Sequence, residues 1–261
     1  MRTFAAAAAT AALAAGMHVQ NTLLSQLQAT ASAQGAAHTC HSTADRAKMQ
    51  SPDFNQWRFG GYRFVDMEFT HDNDALAWKD LHEAGVEDLD MSIIQWERAY
   101  SLFASKGKKL SGADGMTPDD INQGALGNCW FLSGASAVAE ENGRMEKVFL
   151  NKDKDLNAQG VYGVNLYNLG VPQTVMVDDY LPLYKNWKGD LATYFSDFGG
   201  DNSMWTAIIE KAFAKFHGNY AHIEGGDPGK AVQVLTGGPV VQYDHKEISA
   251  DDLWAKIVVH D

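Results

Sequence analysis

The residues best suited to do chemistry lie in one stretch, Gln123-Gly124-Ala125-Leu126-Gly127-Asn128-Cys129-Trp130-Phe131-Leu132. A thiol attacks a carbonyl carbon as its thiolate, and Cys129 stands where a helix should begin. Trp130, Phe131, Ala135, Val138 and Ala139 follow at the spacing of a buried helical side, and Asn142-Gly143 ends the pattern. Asn128 reads as the N-cap, with a side-chain oxygen for an orphan amide. The fixed positive potential of a helix N-terminus favours a thiolate and aims it out of the turn. Gly124 and Gly127 let another backbone approach closely. Gln123 can set a side-chain amide beside the peptide N–H of Cys129, and the pair would stabilise an oxyanion. A lone cysteine before a helix is usually an inert small residue. Here the neighbouring Gln, two glycines and Trp turn the reading to a nucleophile.

This stretch resembles the nucleophile motif of the calpain family, cysteine endopeptidases on a papain-like fold. Asp178-Asp179-Tyr180-Leu181-Pro182 resembles the family's Asp-Asp-x-Leu-Pro turn, and the segment from Trp205 to Lys215 resembles its Trp-x-Ala-Leu-Leu-Glu-Lys-Ala-Tyr-Ala-Lys helix. Tyr220, Gly225-Gly226 and Leu235-Thr236-Gly237-Gly238 follow in the family's order. Upstream, Phe64-Val65-Asp66 and Trp96-x-Arg98 are similar to the lead-in. The resemblance runs from about residue 57 to 257 and implies Cys129 as nucleophile, Gln123 as oxyanion donor and Gly226 as a backbone partner for an extended substrate. Without side chains, Gly225-Gly226 could equally be a simple turn. Trp205, at helical spacing with Ile208, Ile209, Ala212 and Phe216, reads as core.

Two positions depart from the family pattern. Asn128 stands where the family usually has Asp, which removes one negative charge beside the nucleophile. The resemblance also implies calcium as an activator, held partly by an acid nine residues before the cysteine, which Asp120 matches. Its partner carboxylate would fall at Ser203, with Asp201 as a shifted substitute, so Asp120 is read as a solvated surface acid and no metal ligand is assigned. The acyl-transfer chemistry itself requires no cofactor.

A cysteine nucleophile needs a histidine base and a group to orient it. In papain-like enzymes that histidine lies roughly 130–150 residues after the cysteine, a window that opens at about 259 here and is touched only by His260. No Gly-His-Ala-like strand precedes it and no Asn follows it. His245 comes too early, and His217 reads as a partner for a helix C-terminus. The expectation is therefore an incomplete catalytic domain, with a catalytically inactive, protein-binding module as the alternative.

The elements around these residues imply an α+β, papain-like core: a largely helical cysteine lobe with a short hairpin, and a second β lobe that is truncated. Helices are expected at 128–140 and 204–216, with Gly218 as a terminating glycine. A hairpin is expected at 161–169 and 173–177 around Gly170-Val171-Pro172. Pro239–Tyr243 alone could represent the second lobe as a strand, and 253–259 reads as a helix or buried segment. The domain reading is a leader or flexible tail over 1–50, the cysteine lobe with its lead-in over 51–237, and the start of the second lobe over 238–261.

Composition bounds the partners. With 261 residues, 21 Lys plus Arg and 33 Asp plus Glu, the net charge is −12. An acidic surface repels phosphate backbones and anionic lipid, leaving protein substrates as the expected partners, with no nucleic acid. Two cysteines make no disulfide framework. The Ala-rich run from Phe4 to Ala15 resembles a signal peptide over residues 1–17 and is too short to span a bilayer. The family resemblance instead implies an intracellular protein. His38, Cys40 and His41 lack a fourth ligand and read as a solvated tail.

Overall fold

Two helices bury the apolar stripes read from the sequence. α4 (Cys129–Ala139) hides Phe131, Leu132, Ala135, Val138 and Ala139, while α5 (Trp205–His217) is buried from Trp205 through Ala214. The rings of Phe131 and Phe213 stack at 3.9 Å between these helices. The structure is a computed structural model that describes residues 52–77 and 91–260. The stretch over 1–50 read as a leader or flexible tail, with its His38–Cys40–His41 group, lies outside the described residues. Among the described residues, no helix is long and apolar enough to cross a membrane.

The remaining elements in chain order are α1 (Pro52–Arg58), α2 (Asn73–Leu76), β1 (Gln95–Arg98), α3 (Ala99–Phe103), β2 (Val161–Asn168), β3 (Val171–Asp178), β4 (Tyr180–Lys185), β5 (Leu191–Thr193), α6 (Pro228–Thr236) and α7 (Ala250–His260). α6 has Pro228 in its first turn and Asp227 as its N-cap, the carboxylate accepting from Gly229 N at 2.7 Å. It lies so close to α4 that a Cβ on Gly134 would meet the Ala231 Cβ at 2.5 Å.

β2 and β3 form the expected hairpin, with a turn different from the expected one. Leu169 and Gly170, at φ 50° and 82°, make a two-residue loop, and Pro172 already pairs with Tyr167. Both loop residues have the positive φ of the turn that matches strand twist. In a two-stranded sheet every strand is an edge, so a proline lacking its N–H is tolerated there. A second, antiparallel sheet in the order β1-β4-β5 was not read from the sequence.

The Asp178-Asp179 turn between the two sheets is a buried charge junction. Asp179 accepts from Arg98 Nη1 at 2.5 Å and from Tyr100 N at 3.0 Å. Asp178 accepts from Lys211 Nζ at 2.5 Å and from Asp66 N at 2.8 Å, and Lys215 pairs with Asp66 at 2.9 Å. Burial pulls the Lys211 ammonium below its ordinary value against the opposing charge of Asp178. α5 is thereby tied to both sheets.

One expectation fails near the C-terminal end. Pro239–Tyr243 forms no strand, because no described strand offers its backbone a ladder. The 253–259 stretch is helical within α7 but exposed, with Trp254 at 66% and Val259 at 78%.

Candidate active site

Cys129 is the first residue of α4, and its side chain is exposed. The Asn128 carbonyl starts the helix by accepting from Phe131 N at 2.9 Å and Leu132 N at 3.2 Å. The first amides of a helix have no acceptor within it, so the N–H groups of Cys129 and Trp130 are left for a ligand at this end. Small residues and glycines ahead of Cys129 follow from the packing. The strip from Asn122 to Ala125 lies against 194–198, with Ala125 N on Tyr194 O at 3.0 Å and Asp197 N on Asn122 O at 2.8 Å. A Cβ on Gly124 would fall 1.9 Å from Phe195 O, so this contact requires glycine.

Gln123 is exposed on that strip, and its Nε2 donates to Leu126 O at 2.7 Å. One N–H of the side-chain amide is thus used to fix its direction. The second is available to an oxyanion.

Gly226 lies against the face of Trp130. A Cβ there would come within 2.4 Å of the indole Cε2. Trp130 is pinned in turn, its Nε1 donating to Ile223 O at 2.8 Å and its ring meeting Phe213 edge-on at 5.5 Å. Gly225, at φ 62°, donates its N–H to Gly127 O at 3.0 Å. The Gly225-Gly226 backbone and the loop that leads to Cys129 are therefore hydrogen-bonded neighbours. That contact is invisible in the sequence, where they are almost a hundred residues apart.

The N-cap expectation for Asn128 is overturned. Its backbone occupies the cap position, but its side chain makes no capping bond. Nδ2 instead donates to Glu210 Oε1 at 2.6 Å, below the helix, because α5 brings a carboxylate there and a buried carboxylate requires donors. Glu210 also accepts from Ser196 N at 2.9 Å and Ser196 Oγ at 2.7 Å. Burial pushes the Glu210 carboxyl up, against the three donors that hold it down. The sequence reading missed Glu210, although a charge amid Ile208, Ile209, Ala212 and Phe213 was a visible signal.

Asp120 is also corrected. It is 2% exposed rather than solvated, its Oδ2 accepting from the Trp205 indole at 2.7 Å and from Thr117 N at 2.9 Å. Trp205 is core, as expected, and its one polar atom needs this partner. Burial works to raise the nearby Asp201 carboxyl, but hydrogen bonding led by Ser203 holds it below its ordinary value. A calcium ion takes six to eight oxygen ligands. Here Asp120 and Asp201 already accept protein hydrogen bonds, and Ser203 supplies only a neutral hydroxyl. Among the described residues no group of three or more His, Cys, Asp or Glu side chains could hold a metal. These residues do not fit the ion.

The contacts recorded for three of the described histidines do not involve Cys129. His217 Nδ1 lies 3.1 Å from Phe213 O, His222 Nδ1 lies 2.7 Å from His217 O, and His71 stacks on Tyr180. The side chain of His260 lies outside the described residues.

Comparison with known proteins finds relatives along most of the chain. The profile described as calpain family cysteine protease matches residues 64–261. The chain is 35% identical over 211 residues to the calpain-type cysteine protease DEK1 of Zea mays, covering 76% of this chain and 9% of that protein. It is 30% identical over 209 residues to the calpain-1 catalytic subunit of Homo sapiens, covering 78% of this chain and 28% of the relative. It is 32% identical over 239 residues to calpain-8 of Mus musculus, covering 90% and 31%. The chain thus spans less than a third of the length of these relatives.

Proposed function

The chain belongs to the calpain family of cysteine proteases, and from that premise we propose that it acts in limited proteolysis of protein substrates, with Cys129 as nucleophile. The observation that supports this most is the exposed Cys129 at the N-terminus of α4, six residues after a Gln123 whose amide is already oriented by Leu126 O. In the proposed reaction Sγ attacks the scissile carbonyl carbon and forms the C–S bond as the carbonyl π pair moves onto oxygen. The oxyanion receives hydrogen bonds from Cys129 N–H and Gln123 Nε2. Its collapse breaks the C–N bond, and the amine leaves with a proton from a general acid, a role that histidine has in this chemistry. Water then hydrolyses the thioester. The backbone at Gly226, packed against Trp130, is where an extended peptide would lie.

No metal takes part in these steps. Calcium as an activator is supported by family membership and not by the residues around Asp120. Cys129→Ala in the full-length protein should abolish hydrolysis of casein while leaving the fold intact by circular dichroism. Undiminished turnover in that variant would sink the assignment. A wild-type protein that hydrolyses nothing, and whose Cys129 titrates like a peptide cysteine, would favour the binding-module reading.

A further inference from the structure

We propose that Glu210 is a positioning residue for the nucleophile, its buried carboxylate clamping the start of α4 through Asn128 and the strip beneath Gln123 through Ser196. The inference rests on the assignment of Cys129 and Gln123 as the reacting pair. Three hydrogen bonds carry it: Asn128 Nδ2 at 2.6 Å, Ser196 Oγ at 2.7 Å and Ser196 N at 2.9 Å. Asn128 directly precedes Cys129, so its position sets that of the Cys129 N–H. Ser196 lies in the 194–198 segment on which Asn122 and Ala125 pair, so its position sets that of the Gln123 loop. One carboxylate therefore fixes the distance between the two oxyanion donors. Glu210 is 1% exposed and Asn128 0%, so bulk solvent does not replace these bonds.

The clamp also accounts for Asn128. An aspartate there would set two carboxyls at 2.6 Å, and such a pair must share a proton to persist. With asparagine the clamp carries one charge and no shared proton. The groups facing Glu210 from other elements are few. Tyr220 is buried beside it, with its phenol raised well above the usual value by burial and then by the Glu210 charge. Thr193, Ser196 and Tyr220 line with Glu210 a cavity of about 10 Å³, room for one water. The neighbouring Lys211 is committed to Asp178.

The test reads Cys129 directly and needs no proteolysis. The rate of Cys129 alkylation by iodoacetamide is followed against pH by peptide mass spectrometry, which separates it from Cys40. Asn128→Asp should match the wild type at low pH, where the pair shares a proton. It should fall behind by about tenfold as that proton is lost and a second charge appears beside the thiolate. The swapped pair Asn128→Asp with Glu210→Gln restores one amide and one carboxylate, and should follow the wild-type profile. In the full-length protein Asn128→Asp should lower kcat with KM unchanged, and the swapped pair should restore it. An Asn128→Asp profile that overlays wild type at every pH would overturn the clamp, as would a swapped pair as impaired as the single variant. If Asn128→Asp fails to fold, recovery of fold and profile in the swapped pair supports the clamp, and no recovery overturns it. Loss of hydrolysis alone, with the alkylation pattern intact, would count against the protease assignment and leave the clamp standing.

Discussion

Gly226→Ala perturbs the proposed substrate backbone by a single methyl. In the structure that carbon would sit 2.4, 2.5 and 2.8 Å from Cε2, Cδ2 and Cζ2 of Trp130, where ordinary contact begins near 3.4 Å. Something has to move by about 1 Å. The indole is the harder part to move, because its N–H is bonded to Ile223 O at 2.8 Å and its ring is wedged against Phe131 and Phe213. The 224–226 backbone should therefore shift outward. Overpacking of this kind costs about 1–3 kcal/mol, which for a domain of this size lowers Tm by roughly 4–8 °C at 2 kcal/mol. A displacement of about 1 Å at a substrate-positioning segment costs on the order of 10²-fold in kcat/KM. Differential scanning calorimetry measures the first effect and casein hydrolysis by the full-length protein the second. Trp130→Phe removes the benzo ring that meets the new methyl, so the double variant should lose less than the sum of its parts. A Gly226→Ala protein with Tm within 1 °C of wild type and unaltered kcat/KM would refute the reasoning. So would strict additivity with Trp130→Phe.

Three further outcomes are expected. Gln123→Ala removes one oxyanion donor and should lower kcat by about 10²–10³-fold, with KM little changed, in steady-state kinetics; a rise in KM alone would assign Gln123 to ground-state binding. Lys211→Met leaves the Asp178 carboxylate buried without its cation and should cost about 3–5 kcal/mol. Urea denaturation should then show a midpoint lower by roughly 1–2 M. His217 is held below the ordinary histidine value of 6.5 by burial, against the pull of Phe213 O. The unfolded chain then binds the proton more tightly than the folded one, so stability present above that value is lost as pH falls through about 6.5 and below. His217→Asn should flatten that limb of a Tm-against-pH curve, and an unchanged curve would remove His217 from the account.

Local order was legible in the sequence because it depends on neighbours a few residues away. The periodicity from Cys129 to Ala139 gave α4, the apolar spacing from Trp205 to Phe216 gave α5, and the hairpin strands were found apart from their turn. The turn was misplaced because Gly-Val-Pro looks like a break, while Leu169 takes the left-handed conformation and lets Pro172 sit in an edge strand. The family, and with it the proposal of Cys129 as nucleophile, came from one contiguous motif and an ordered set of others, which needs no knowledge of contacts. The β1-β4-β5 sheet was missed because its partners, such as Arg98 and Tyr180, are far apart in the chain and no local turn announces them.

Side-chain partners were decided by tertiary structure alone. The sequence made Asn128 a cap and Asp120 a surface acid, each from its local propensity. Packing of α5 then set Glu210 under Asn128 and Trp205 beside Asp120, and a polar group enclosed without water takes whatever donor or acceptor the fold brings. Residue types and spacing determine which chemistry this chain can attempt. The Glu210 beneath Asn128 and the Trp130 face against Gly226 are supplied by distant elements, because hydrogen bonding and close packing act through space rather than along the chain.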